Sequence, residues 1–315
     1  MTTAPPPLIY VIVLNYRSAD DTLACVDAVR DITYPNFRLL VLDNDSPDGS
    51  GKILEKRIPP GEFMQTGRNL GYAGGNNLAM RRALREGADY VLIVNPDVRL
   101  PPRCLDDYVD IMSRDERIAG LNAIQLQSNG QDIDPGFRVG VLQPKGLDRI
   151  TFEPSAFPET FDSSILYGAA LMLSSAAIRR VGGFDPLFFA YYEEIDLCRR
   201  LRLHGFRLVV TPRSPVIHIR TEYAKPLSRR VRYLRLKGYY LSRLKYRGNR
   251  IGPTLKYILG EIRAALGGRA DGIYPYNTYP YDRGIVLQAL GWLLCFLPVI
   301  WLHKKRDAVP GMRYL

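Results

Sequence analysis

Tyr90-Val91-Leu92-Ile93-Val94-Asn95-Pro96-Asp97 is the stretch from which the fold can be read. Its first five residues carry no charge and are rich in β-branched side chains, the pattern of a strand buried on both faces. Pro96 cannot continue a ladder, so the run stops and leaves the Asp97 carboxylate at its carboxyl end. Working outward, residues 9–14 (IYVIVL) and 39–42 (LLVL) are runs of the same kind, and Phe63-Met64-Gln65 is a weaker one. Ser18-Ala19-Asp20-Asp21 supplies capping chemistry for a helix to about Arg30, and the polar, glycine-rich residues 69–77 lead into a helix through Met80 and Ala83. Strand and helix alternate, and polar residues gather where each strand ends. This predicts an α/β doubly wound sheet that binds its ligand along that edge. Residues 125–165, rich in Gly, Pro and Gln, read as loops or edge strands. Beyond them a strand is expected over 166–173, a helix over 194–204, and two short strands, 208–210 and 216–217, flanking Pro212 and Pro215.

With 46% hydrophobic and 24% charged residues, the chain is of folded rather than disordered composition. The net charge of +11 is uneven: residues 1–224 sum to −3 and residues 225–315 to +14. The tail, not the body, is therefore expected to meet an anionic surface. Residues 225–250 hold ten Lys and Arg and no acid, with Tyr233, Leu236, Tyr240 and Leu244 on one helical face. Residues 285–302 are free of charge and precede His303-Lys304-Lys305-Arg306. As a helix they would span about 27 Å, short for a bilayer, and Pro298 weakens a straight crossing. An interfacial or re-entrant helix anchored by Trp292 and Trp301 and a buried core helix are both open readings. Four scattered cysteines with no CxxC spacing argue against a disulfide framework or zinc site and suit a reducing cytoplasm. The first residues, interrupted by Pro5-Pro6-Pro7, do not read as a signal peptide.

The acids Glu193, Glu194 and Asp196 fall within four residues, directly after an aromatic run that includes Phe188, Phe189, Tyr191 and Tyr192. Crowded carboxylates beside apolar surface are where a pKa rises toward that of a working base. An acidic helix start answered by Arg199, Arg200 and Arg202 accounts for them equally well. Asp43, at the end of a buried strand, suits a base or ribose, or simple turn chemistry. Residues 69–77 can bring backbone N–H groups close to a diphosphate, although they match neither a Walker A loop nor a GxGxxG fingerprint. Asp97 suits a hard divalent cation on phosphate oxygens, or a turn cap. His218 is one of three histidines and reads first as a packed residue.

The ordered combination is more specific than its parts. VIVLNYRSADD, VLDNDSPDGS, NLGYAGGNN, LIVNPDV, YGAALMLS, VGGFDPLFFAYYEEIDLCRRLRLHGFRLVV and the late His218 resemble the inverting family 2 glycosyltransferases of GT-A fold. Within them the similarity is to the rhamnosyltransferase-like branch of O-antigen and cell-wall assembly, and it covers about residues 8–220. The resemblance implies a GT-A catalytic domain over residues 1–224 and a basic, largely helical, membrane-associating region over 225–315. It implies that Tyr16 packs on the nucleotide base, that Asp43 binds base or ribose, and that Leu14, Asn69, Gly75, Asn77 and Asn95 line the donor site. Asp97 would hold Mg²⁺ or Mn²⁺ with His218 as an additional ligand, and Glu194 would be the general base, with Glu193 and Asp196 completing its cluster. Asn95-Pro96-Asp97 departs from the usual Asp-x-Asp, so one carboxylate does the work of two. The implied partners are a UDP- or dTDP-sugar, a glycan or lipid-diphosphate-linked acceptor, the inner face of the cell membrane, and a second copy as an open possibility. No nucleic acid is expected. A sugar nucleotidyltransferase is the enzymatic rival, but residues 14–19 lack the glycine-rich loop it needs after its first strand. A binding protein with tyrosines and arginines of the tail stacked on nucleic acid is the non-enzymatic one.

Overall fold

The computed structural model describes residues 5–219, 227–267 and 283–315. Strands β1 (Ile9–Asn15), β2 (Phe37–Asp43), β3 (Phe63–Gln65) and β4 (Tyr90–Val94) run parallel in the order β3-β2-β1-β4. Helices α1 (Ala19–Arg30), α2 (Ser50–Arg57) and α3 (Gly71–Arg85) return the chain between them. The register aligns Asn15, Asp43 and Gln65 across the carboxyl edge. Side-chain alternation divides the core: Tyr10, Ile12 and Leu14 of β1 pack on one face, Ile9, Val11 and Val13 on the other.

The sheet continues through β5 (Val98–Arg99), α4 (Cys104–Ser113), β6 (Ile118–Leu126), the helical turn α5 (Pro135–Phe137), β7 (Phe161–Asp162), β8 (Ala170–Ser174), α6 (Ser175–Val181), α7 (Glu193–Leu203) and β9 (Arg207–His218). Its full order is β3-β2-β1-β4-β8-β6-β9-β5, with β7 also paired to β9. Antiparallel β8 between β4 and β6 makes this a mixed sheet, as the GT-A resemblance implied.

Three local expectations change. The segment at 166–173 joins the ladder only at Ala170, because Asn122 of β6 takes the backbone of Tyr167 in both directions, accepting from its N–H at 2.6 Å and donating to its carbonyl at 3.1 Å. The two short strands near Pro212 and Pro215 are one strand. Thr211 pairs with Ala123 and Val216 with Gln125, so both prolines sit in a bulge where no ladder N–H is needed. Residues 69–77 are mostly helix rather than loop: α3 starts at Gly71, whose φ of +72° and contact with the Phe189 carbonyl leave no room for a Cβ.

Beyond the sheet lie α8 (Arg229–Lys245), α9 (Ile251–Leu266) and α10 (Arg283–Arg306). Leu236, Tyr240 and Leu244 bury their shared face against Phe188 and against Ile285, Ala289 and Leu293 of α10. Helix α10 is long and apolar enough to cross a membrane. One face is core, while Leu287, Leu294, Val299 and Trp301 are exposed. The expected boundary at residues 224–225 lies outside the described residues.

Candidate functional site

At the carboxyl edge, Asp43 is buried and committed to the loop that follows it. Its Oδ1 accepts from Asn15 Nδ2 and from Ser46 Oγ, both at 2.6 Å, and its Oδ2 accepts from the Ser46 N–H at 3.1 Å. Asn15 also accepts from the Ser18 N–H and the Thr22 hydroxyl, so it locks the start of α1 to β2. Its position, last in a buried strand like Asp43, was the available sequence signal. Asn69 accepts from the Gly71 N–H at 2.9 Å, and Asn44 bonds Asn69, Leu70 and Gly71, fixing the entrance to α3. Tyr16 is exposed at this edge beneath the Arg17 guanidinium, 5.2 Å from its ring centroid. A Cβ on Gly75 would stand 2.7 Å from Leu14 Cδ1, so these two positions set the approach of α3 to β1. Asn77 lies deeper: its amide donates to the Phe184 carbonyl at 2.7 Å and accepts from the Phe184 N–H at 2.8 Å. It clamps the chain that leads into the acid cluster.

Pairing of Val98 with His218 brings the end of β9 against the turn after β4. Asn95 is tied through its N–H to the Ala169 carbonyl, and the Asp97 carbonyl accepts from the Ile219 N–H at 2.7 Å. His218 Nε2 then lies 3.4 Å from Asp97 Oδ2, and Nδ1 lies 3.8 Å from Asp134 Oδ2. Asp134 falls in the stretch read as loop, and nothing local marked it. It caps α5 by accepting the Phe137 N–H at 2.9 Å. No group of three or more His, Cys, Asp or Glu among the described residues is arranged to hold a metal. Asp97 and His218 offer one hard oxygen and one imidazole, a donor set that fits Mg²⁺ or Mn²⁺ when phosphate oxygens and water complete the shell.

Phe189, Tyr191 and Tyr192 hold φ of +64°, +70° and +75°, a left-handed conformation that bulky residues avoid. This bend delivers Glu193 and Glu194 to the first turn of α7, each with a buried Oε2 that has no hydrogen-bond partner among the described residues. Burial pushes Glu194 up to about 7, against the pull of the backbone N–H groups at the helix start. Burial, reinforced by the Glu194 charge, pushes Glu193 further, well above the carboxylate range, with Lys237 opposing. Tyr72 donates its hydroxyl to the Gly168 carbonyl at 2.7 Å, and the charges of Glu193, Glu194 and Asp97 all reach it. Asp196 is turned elsewhere, paired at 2.8 Å with both Arg200 Nε and Lys245 Nζ. The three acids therefore divide into a desolvated pair at the start of α7 and a third that ties α7 to α8.

The model of the glycosyl transferase family 2 matches residues 10–170, half of the chain. The N-acetylglucosaminyl-diphospho-decaprenol L-rhamnosyltransferase of Mycobacterium tuberculosis is 29% identical over 206 residues, 57% of this chain and 66% of that protein, just under two thirds of its length. Galactofuranosyltransferase GlfT1 of Mycolicibacterium smegmatis is 23% identical over 256 residues, 75% of this chain and 83% of that one. Among solved structures, mannosyltransferase PcManGT from Pyrobaculum calidifontis, in complex with GDP-Man and Mn²⁺, superposes with a TM-score of 0.56 at 17% identity, covering 96% of this chain and 84% of that one. S. aureus TarS 1–349 with UDP-GlcNAc gives a TM-score of 0.57 at 15% identity, covering 95% and 88%. These two share the fold. The family match runs from β1 to the start of β8, through the strand ends that carry Asp43 and Asp97, and the chain belongs to glycosyltransferase family 2.

Proposed function

We propose that the chain transfers a sugar from a nucleoside-diphosphate donor, UDP- or dTDP-linked, to a hydroxyl of a glycan or lipid-diphosphate-linked acceptor in surface-polysaccharide assembly. The observation that carries this reading is Glu194, a desolvated carboxylate poised near neutrality in the first turn of α7. A base with that proton affinity is matched to removing a hydroxyl proton at neutral pH. Glu194 takes the acceptor proton as the acceptor oxygen bonds to the anomeric carbon. The bond from that carbon to the diphosphate breaks with its electron pair, and the configuration inverts. Asp97 and His218 would hold Mg²⁺ or Mn²⁺, whose charge would neutralise the departing diphosphate. The complex of PcManGT with GDP-Man and Mn²⁺ supports that choice. Leu14, Tyr16, Asp43, Asn69, Gly75 and Asn95 form or brace the donor edge, with Asn77 acting through Phe184. Glu193, pushed up by burial and by the Glu194 charge, completes the pair. The +14 charge of residues 225–315 and the exposed apolar face of α10 support a place at the cytoplasmic face of the membrane.

Glu194→Gln is expected to cut transfer by about 10²–10⁴-fold while donor binding, followed by thermal shift with sugar nucleotides, persists. Unchanged turnover would remove Glu194 from the role.

A further inference from the structure

Three segments far apart in the chain meet at His218. The turn after β4 brings Asp97, the end of β9 brings His218 itself, and the segment after β6 brings Asp134. The backbone of Asp134 is fixed from both sides: its N–H donates to the Gln125 carbonyl at 2.8 Å, and its carbonyl accepts from the Arg138 N–H at 2.8 Å. Its two carboxylate oxygens do different things. Oδ1 caps α5 through the Phe137 N–H, while Oδ2 stands 3.8 Å from His218 Nδ1. That separation is an ion-pair distance, longer than a formed hydrogen bond. Nε2, the other ring nitrogen, lies 3.4 Å from Asp97 Oδ2. Exposure separates the two carboxylates: the Asp97 side chain is 33% exposed and that of Asp134 2%. A cation arriving from solvent with phosphate oxygens and water therefore reaches the Asp97 side of the ring, and Asp134 stays behind it.

Capping alone does not explain Asp134, because a neutral Asn or Ser caps a helix start as well as Asp does. A buried carboxylate costs more than a neutral cap, so its charge needs a counterpart, and the His218 ring is one. A neutral imidazole carries a single ring proton. A metal needs the lone pair at Nε2, so that proton must sit on Nδ1, where a facing carboxylate favours it. We propose that Asp134 is a positioning residue for the metal site: it holds the ring proton of His218 on Nδ1 and so presents the Nε2 lone pair, beside Asp97, to a divalent cation. This role rests on the reading of Asp97 and His218 as ligands and adds to it a residue that touches neither metal nor donor. An amide at the position reverses the preference. With its oxygen kept by the Phe137 N–H, the side-chain nitrogen of an Asn would turn its donors toward Nδ1, drawing the lone pair there and the proton to Nε2.

The test is a Mn²⁺ titration of the full chain, with free Mn²⁺ counted by electron paramagnetic resonance, in wild type, Asp134→Asn, His218→Gln and the double variant. Asp134→Asn keeps the cap, so the melting temperature of the metal-free chain should hold while Mn²⁺ binds about 10–100-fold more weakly. In the His218→Gln background the same substitution should change nothing further, because a residue that acts through the ring has no effect once the ring is gone. Asp134→Ser, a second neutral cap, is expected to match Asp134→Asn. Unaltered Mn²⁺ affinity in Asp134→Asn, or an equal loss when it is added to His218→Gln, overturns the role of Asp134 and leaves the two ligands standing. No Mn²⁺ binding by wild type, or binding that neither Asp97→Ala nor His218→Gln weakens, overturns the metal reading and the role of Asp134 with it.

Discussion

Glu193 and Glu194 are neighbours with the same side chain, yet their surroundings separate them. Burial raises both, and the charge of Glu194 lifts Glu193 further. A base works deprotonated, so a group near 7 makes activity fall as acid is added. The kcat/KM profile is expected to rise about tenfold per pH unit below that midpoint and level off above it. A profile flat across the midpoint would exclude Glu194. At Asp97 the expectation is different in kind. Asp97→Ala leaves His218 as the one remaining ligand of the pair, so metal-dependent donor protection should be lost while metal-independent protection remains; an unaltered Mn²⁺ titration would take Asp97 out of the site. Asp97 was legible because a carboxylate directly after a buried strand is a local pattern. Asp134 was not, because its place beside His218 depends on β6, β9 and the intervening turn coming together.

At the scale of elements, the first two turns of α7 are held by different physics. Glu193 and Glu194 each bury an Oε2 with no hydrogen-bond partner among the described residues, while Asp196 and Arg200 enter a buried ion cluster. Lys245 of α8 reaches Asp185 at 2.6 Å, Asp196 at 2.8 Å and Asp307 at 3.1 Å, and His303 lies 2.9 Å from Asp185. Burial alone would raise Asp185, but Lys245 and His303 hold it well below the usual carboxylate range. Removing the central cation would leave buried carboxylates uncompensated. Lys245→Met is therefore expected to destabilise the fold by about 3–5 kcal/mol, read from the urea midpoint. A midpoint within error of wild type would show the cluster to be dispensable. The sequence shows Asp196 and Arg200 one helical turn apart, but it does not show Lys245 on the other oxygen of Asp196. Strand β6 was obscured for a related reason: Asn122 and Gln125 look like loop residues, and it is tertiary neighbours, the Tyr167 and Ala170 carbonyls, that take the short hydrogen bonds of the Asn122 amide.

Across the whole molecule, the basic tail and the acidic body are joined rather than merely tethered. Helices α8 and α10 share a core with Phe188, and the Arg313 carbonyl accepts from the Gly183 N–H at 2.9 Å, ten residues before the acid cluster. Deleting residues 283–315 would therefore remove core as well as any membrane contact. A cleaner test changes only the exposed stripe. Leu294→Glu with Trp301→Glu should shift the chain from membrane to soluble fractions with its melting temperature nearly unchanged, since surface substitutions away from special features cost about 0.5 kcal/mol or less. Retention in the membrane fraction would mean that the stripe does not make the contact. The sequence by itself determined the alternation of strand and helix, the polar strand ends and the resemblance they carry, because periodicity and strand termination are local properties of the chain. Tertiary structure alone decided that Asp196 is drawn to Arg200 and Lys245, that Asp134 lies beside His218, and which face of α10 is core. Those outcomes depend on desolvation and charge supplied by residues far away along the chain.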